Sequence, residues 1–298
     1  MFNQLIIKTM PLVPKGIIHM VAKKYIAGDT LEDAVRLTKD IEKKGGMTTI
    51  DVLGEFVEDK ERAIHEKGES SKVLDAIHKN KLNANLSIKP TSLGLGIDFD
   101  FGYNNIKEII GKAAELGIFV RLDMENAPYT TMTLDLFRKL RADGFQNTGI
   151  VIQAYMMRSE EDIRSVAELK PTIRLCKGIY KESPQIAYQT KKDVRDNFNK
   201  LLNLIFDNGL YAGIATHDDI LIDYAMEQID KRGLKNSDYE FQMLLGVRED
   251  KRNQIIKAGH KMRIYTPFGK DWYGYSTRRL KENPEVAGQI FKAIFIKG

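Results

Sequence analysis

The chain has 298 residues, 43% hydrophobic and 29% charged, which suits one large α/β unit or two ordinary domains and excludes a disordered polymer. A single cysteine excludes an internal disulfide framework and fits a reducing cytoplasm. The net charge of +5 arises from 46 bases interspersed with 41 acids, without the separate basic block that nucleic-acid binding requires.

The first 28 residues hold four lysines and no acid. Lys and Pro interrupt them too often for a signal peptide or a membrane span, so 1–44 reads as an N-terminal helical segment. Two uses are open to it: a basic amphipathic helix on an anionic bilayer, or a helix packed on the body with its lysines in water. From residue 45 a β-rich run, a turn and a helical stretch recur. The runs are 47–54, 83–90, 118–125, 148–155, 171–178, 211–218, 239–246 and 261–269. Helical patterns such as "IKEIIGKAAELG" and "VRDNFNKLLNLIFDNG" lie between them, each ending on the glycine expected past a helix C-terminus. This rhythm predicts an α/β fold of the (β/α)₈ barrel type over 45–298, with extra helices before the first strand. A doubly wound sheet competes, but no G-x-G-x-x-G follows the first run.

Parallel barrel strands are usually apolar on both faces. Here most runs alternate. Val120, Leu122 and Met124 share one face while Arg121, Asp123 and Glu125 take the other. Ile173 and Leu175 oppose Thr172, Arg174 and Cys176. Asp51, Lys89, Gln153, Gln242, Arg263 and Tyr265 fall on the same polar side of their runs. The apolar face must meet the helices, so the polar face points into the barrel. Such a lining either pairs internally as a buried salt-bridge network or meets a polar ligand.

Near the end, "DWYGYSTRRLKENPE" predicts a helix over 271–283 with Tyr275, Arg278, Arg279 and Glu282 on one stripe. The stripe is either a solvated salt-bridge face or a pair of guanidinium forks held out to a carboxylate. The apolar tail "VAGQIFKAIFIKG" reads as a closing helix or a docked end. The five histidines show no H-x-x-x-H spacing, so no metal site is expected, and lone His217 in "ATHDD" reads as a hydrogen-bonding residue. Spacing alone leaves open a Schiff-base lysine, Lys89 or Lys177, and a cofactor-borne reaction in which the lining positions substrate. A non-catalytic barrel that senses an amino acid is a further alternative.

In order, "LSIKPTSLG", "RLDME", "QAY", "RLCKGIY", "ATHD", "RIYTPFG" and "YxxRRLKENPE" resemble the proline dehydrogenases, over about residues 45–287. The length is similar to that of the monofunctional bacterial form. The resemblance implies a (βα)₈ barrel holding FAD, oxidation of L-proline to Δ¹-pyrroline-5-carboxylate by hydride transfer to the flavin, and reoxidation by a membrane quinone. A cytoplasmic protein with a peripheral contact on the inner face of the membrane is the matching expectation. By the same resemblance Asp123 and Arg174 carry catalytic roles. Lys89, Tyr265, Tyr275, Arg278, Arg279 and Glu282 bind substrate. Met124, Gln153, Lys177, Gly178, Ile179, Thr216 and His217 contact FAD. The family's motif has a small alanine where this chain has Ile179.

Overall fold

The computed structural model describes residues 23–54 and 56–275. Among the described residues Thr30 opens the first helix, α1 (Leu31–Glu42), with a capping box: the Thr30 side chain accepts from Asp33 N while the Asp33 side chain accepts from Thr30 N. Strand β1 (Met47–Val52) follows, then α2 (Lys60–Asn80), capped by Asp59. Next come β2 (Ala84–Ile88), a 3₁₀ turn (Pro90–Leu93), α3 (Phe99–Glu115), β3 (Val120–Leu122) and α4 (Ala127–Ala142). The second half contains β4 (Thr148–Gln153), α5 (Ser159–Val166), β5 (Ile173–Cys176), α6 (Lys191–Asp207) and β6 (Ala212–Ala215). It closes with α7 (Asp219–Arg232), β7 (Tyr239–Leu244), α8 (Glu249–Lys257) and β8 (Met262–Phe268).

Every strand is parallel to its neighbours, and β8 pairs with both β7 and β1, so the sheet is a closed barrel. Each predicted run contains its strand and overshoots it at the C-terminal end. The overshoot has a physical reason: several residues just past the strands, Lys89, Asp123, Lys177, Thr216 and His217 among them, are polar and help build the mouth, so the pattern runs on where the ladder stops.

Strand periodicity divides the core. Ile50, Leu86, Val120, Leu122, Ile150, Ile173, Leu175 and Ile214 are fully buried outward-facing residues that meet the helices. Each stabilises the fold by about 1.5–3 kcal/mol relative to exposure. The inward face carries the polar set instead. It needs room, and two strand glycines supply it. A Cβ at Gly149 would lie 2.7 Å from Arg121 Nη1, and one at Gly213 would lie 2.6 Å from Gln242 Nε2.

Helix α1 packs on β1 and β8. It thus covers the seam that the helix after the last strand covers in a regular barrel. The chain leading into it crosses the C-terminal end of β8, where Ala27 N donates to Pro267 O at 2.8 Å and Gly269 N to Gly28 O at 3.0 Å. With the seam covered, the chain after β8 stays at the mouth. There Asp271 accepts from Arg62 Nη2 at 2.7 Å, residues 272–275 begin a helix, and Tyr275 is buried. Arg278, Arg279, Glu282 and the first 22 residues, most of the basic N-terminal segment, lie outside the described residues. No helix among the described residues is long and apolar enough to cross a membrane.

Candidate active site

The polar lining condenses into one connected ionic cluster. From just past β2, Lys89 Nζ donates to both oxygens of Asp51 on β1 at 2.8 Å. Just past β3, Asp123 Oδ1 accepts from Ser87 Oγ at 2.7 Å and from Arg174 Nη1 at 2.7 Å, while Oδ2 accepts from Tyr265 OH at 2.8 Å. The Arg174 guanidinium also lies 5.3 Å from the Tyr265 ring centroid. Deeper, Arg174 Nε donates to Gln242 Oε1 at 2.6 Å, and Gln242 Nε2 donates to Glu240 Oε1 at 2.6 Å. Glu240 in turn accepts from Arg263 Nε at 2.7 Å and Nη2 at 3.0 Å.

Three carboxylates and three cations therefore pair off: Asp51 with Lys89, Asp123 with Arg174, and Glu240 with Arg263. Buried Arg121 rests on carbonyls instead, donating to Ile150 O at 2.8 Å and Thr172 O at 2.6 Å. Asp123 and Tyr265 are only half-buried, which makes that part of the cluster reachable from the mouth. Glu240 and Arg263 are buried near the opposite end.

Burial dominates the titration of these groups. It raises the Asp51 carboxyl to about 6, the Lys89 ammonium pulling it back and the Asp123 charge adding to the rise. Burial, followed by the charges of Asp123 and Asp51, pushes Tyr265 well above the usual phenol value. Burial opposes ionisation of Glu240 too, but Arg263 more than offsets it and holds the carboxyl below its ordinary value. The Cys176 thiol is pushed up to about 11 by burial and stays a neutral thiol.

The raised Asp51 value has a testable consequence for stability. Below pH ~4 this carboxyl is protonated in both folded and unfolded chains. Between about 4 and 6 the unfolded chain ionises first, so this group's contribution to stability falls as pH rises through that window. Asp51→Asn removes the effect. The stability of the wild type minus that of the variant should drop by about 1–3 kcal/mol from pH 4 to pH 6. Denaturant titrations at the two pH values measure it; a difference that widens with pH would overturn the reading.

Around the mouth, β4, β5 and β6 stand side by side, with Gln153 paired to Cys176 and Cys176 to Ala215. The residues at and just past these ends form an arc. Gln153 Nε2 donates to Glu125 O at 2.8 Å. Lys177 Nζ donates to Asp218 Oδ2 at 3.1 Å. Thr216 Oγ1 accepts from Asp218 N at 3.2 Å. His217 Nε2 accepts from Leu244 N at 2.9 Å, which places the neutral ring's proton on Nδ1. Met124 is buried beside Asp123. Gly178 has φ +101°, and a Cβ there would strike the Tyr155 ring, so the turn after β5 requires glycine. Ile179 is half-exposed, and Met157, Ile186 and Ile220 are exposed on the same rim. Polar groups alternating with bare apolar side chains suit a planar ring system with a polar edge.

The predicted residues thus fall into two groups. Asp123, Arg174, Tyr265 and Lys89 share the ionic cluster, whereas Gln153, Lys177, Gly178, Thr216 and His217 share the rim. Tyr275 is near enough to Tyr265 to act on its phenol electrostatically, and it also lines a cavity of about 520 Å³ with Leu53, Phe56, Arg62 and Asp271. Sequence reasoning missed Ser87, Glu240, Asp218 and Arg195 as partners. For Glu240 the signal was present, since it stands two residues before Gln242 in the same run.

Comparison with known proteins shows the family. The family model described as "Proline dehydrogenase" matches residues 34–292. "Proline dehydrogenase 1" of Bacillus subtilis is 37% identical over 276 residues, covering 93% of this chain and 91% of the relative. "Proline dehydrogenase" of Deinococcus radiodurans is 35% identical over 282 residues, covering 93% and 91%. Among solved structures, proline utilization A from Bdellovibrio bacteriovorus inactivated by N-propargylglycine superposes with a TM-score of 0.83 at 24% identity. That likeness spans 89% of this chain and 33% of the longer protein, and it shows the shared barrel fold. On the matched length and the identity to full-length relatives, the chain belongs to the proline dehydrogenase family.

Proposed function

We propose that the chain oxidises L-proline to Δ¹-pyrroline-5-carboxylate with FAD and passes the electrons to a membrane quinone, as the first step of proline catabolism. The supporting observation is the Asp123–Arg174–Tyr265 cluster beside Asp51–Lys89 at the barrel mouth, under a rim suited to a planar, polar-edged ring. FAD, when bound, would supply a hydride acceptor for the ring carbon beside proline's nitrogen. Gln153, Lys177, Thr216 and His217 would meet its polar edge, with Met124, Gly178 and Ile179 against the ring system. Ile179 replaces a smaller residue of the family motif and would add apolar contact there.

Substrate binding falls to Lys89, Tyr265, Tyr275 and the sequence-assigned Arg278, Arg279 and Glu282, with the arginine forks on the carboxylate. Hydride leaves more readily once proline's nitrogen has lost its extra proton, so the pocket must not hold an ammonium. Its own charges serve this end. Asp51 and Asp123 are each engaged by a cation, so neither offers a bare carboxylate to keep the amine protonated. Arg174 and Asp123 fix each other and Tyr265, and such positioning supplies much of the rate. The lysine Schiff-base alternative is disfavoured by the same pairing: Lys89 and Lys177 are both held as ammonium partners of aspartates.

The test is an absorbance spectrum of the purified chain before and after anaerobic L-proline. A flavin spectrum that bleaches on addition is the expected result. A flavin that proline leaves unbleached would move the substrate elsewhere. No flavin after reconstitution with FAD would overturn the reading and return Lys89 and Lys177 to contention as nucleophiles.

A further inference from the structure

Asp218 stands at the N-cap of α7 with extended backbone, φ −87° and ψ 114°. An aspartate there ordinarily accepts a backbone N–H of the first helical turn, a bond worth about 0.5–2 kcal/mol. Asp218 makes no such cap. Its carboxylate accepts instead from Arg195 Nε at 2.9 Å, Arg195 Nη2 at 3.1 Å and Lys177 Nζ at 3.1 Å. The first cation projects from α6 and the second from the turn after β5. Burial works against ionisation of this carboxyl, but the hydrogen bonds from Arg195 and Lys177 more than compensate and hold it below its ordinary value.

The exposures are unequal. The Asp218 side chain is 9% exposed and that of Lys177 is 44% exposed. The carboxylate is the fixed inner partner, and the lysine reaches past it towards the mouth. A lysine stem loses roughly 1.5–2 kcal/mol of rotamer freedom when held in one geometry. The two-point contact from Arg195 takes one lone-pair direction on each oxygen and fixes the plane of the carboxylate, and the second direction on Oδ2 then holds the ammonium. Because Arg195 shares the carboxylate, the trio keeps one net positive charge, and that charge faces the rim. This arrangement is separate from the Asp123–Arg174 pair.

We propose that Asp218, locked by Arg195, is a positioning residue that holds the Lys177 ammonium in place to meet the polar edge of the cofactor. The inference rests on the flavin reading above and names what orients the lysine in it. The lost cap fits this arrangement, because the orientation in which the two cations hold the carboxylate gives no hydrogen bond to the first helical turn.

The test is a double-mutant cycle on the FAD-loaded full-length chain, using sulfite as the probe. Sulfite bleaches a flavin, and its affinity depends on positive charge held near the ring. Lys177→Met and Asp218→Asn should each weaken sulfite binding by about tenfold, the scale of one nearby charge. The double variant should be no weaker than Lys177→Met alone. Losses that add, or an Asp218→Asn chain that binds sulfite more tightly, would overturn the proposal. Arg195→Met keeps the carboxylate but unlocks it, and should weaken sulfite binding by about threefold if Asp218→Asn fails to fold.

A second measurement needs no cofactor. In the flavin-free full-length chain, Asp218→Asn should raise acetylation of Lys177 by acetic anhydride at least about threefold, read by mass spectrometry, because the ammonium loses its acceptor. Equal labelling with flavin binding intact overturns the positioning role and leaves the flavin reading standing. Increased labelling in a chain that takes up no FAD overturns the flavin reading, and the cofactor role of Lys177 with it.

Discussion

Replacing Asp123 by asparagine should cost about 3–5 kcal/mol of stability and lower the rate of proline-driven flavin reduction by at least about 100-fold. The two effects have one origin. The carboxylate takes three donors: Ser87 Oγ and Arg174 Nη1 on one oxygen, Tyr265 OH on the other. An asparagine amide offers one oxygen and one NH₂ in the same outline. If the oxygen faces Ser87 and Arg174, the NH₂ meets the Tyr265 hydroxyl, which must turn its proton away. If the amide flips, the NH₂ faces Arg174 Nη1, which loses its acceptor there, and the Ser87 hydroxyl must turn to accept. Either way the Arg174 charge, on a side chain 8% exposed, loses its counter-ion. Asp123→Ala removes the acceptors altogether and should be no better. Denaturant unfolding gives the first quantity and stopped-flow flavin bleaching the second. A variant within 1 kcal/mol and threefold of wild type would mean that the cluster is not what orders the pocket.

The face on which these residues lie was legible in the sequence, but their height in the barrel was not. Period-two alternation in "FVRLDME" and "TIRLC" is enough to turn Arg121, Asp123 and Arg174 inward. It cannot say that Arg121 rests on the carbonyls of β4 and the segment before β5 while Asp123 lies open to the mouth. That depends on the stagger between strands, which hydrogen-bond register sets. The four charges Asp51, Lys89, Asp123 and Arg174 were expected either to neutralise one another or to meet a ligand. They pair as Asp51–Lys89 and Asp123–Arg174, and the second pair remains half open. The amphipathic stripe of α1 likewise states that the helix packs but not where; its place on the β8–β1 seam follows from closure of the barrel. Asp218 was hidden for another reason. It lies far in sequence from Arg195 and Lys177, and only the folded chain brings those two cations onto it. The arginine pair of the final stripe was legible only as sequence, because positions 278 and 279 lie outside the described residues.

Glu240→Gln should destabilise the chain by about 3–5 kcal/mol while leaving proline-driven flavin reduction within about fivefold of wild type. The carboxylate accepts four hydrogen bonds: two from Arg263, one from Gln242 and one from Tyr211 OH at 3.1 Å. It is 3% exposed, and the same interior holds Arg263 and Arg121. A neutral side chain there leaves two guanidiniums in a low-dielectric space without a carboxylate between them, which is the costly way to break a buried pair. Removing both partners is a different matter. Glu240→Met with Arg263→Met replaces the pair by apolar side chains of similar volume, and such replacements are often neutral or stabilising. The double variant should therefore recover most of the loss, giving a coupling of at least about 2 kcal/mol in the cycle. Catalysis is shielded because Glu240 reaches Arg174 only through Gln242, whose amide still accepts from Arg174 Nε when its other end is disturbed. Stability and rate thus separate here, whereas at Asp123 they fall together. If Glu240→Gln slowed flavin reduction as severely as Asp123→Asn, the deep pair would belong to the reacting cluster rather than supporting it from below.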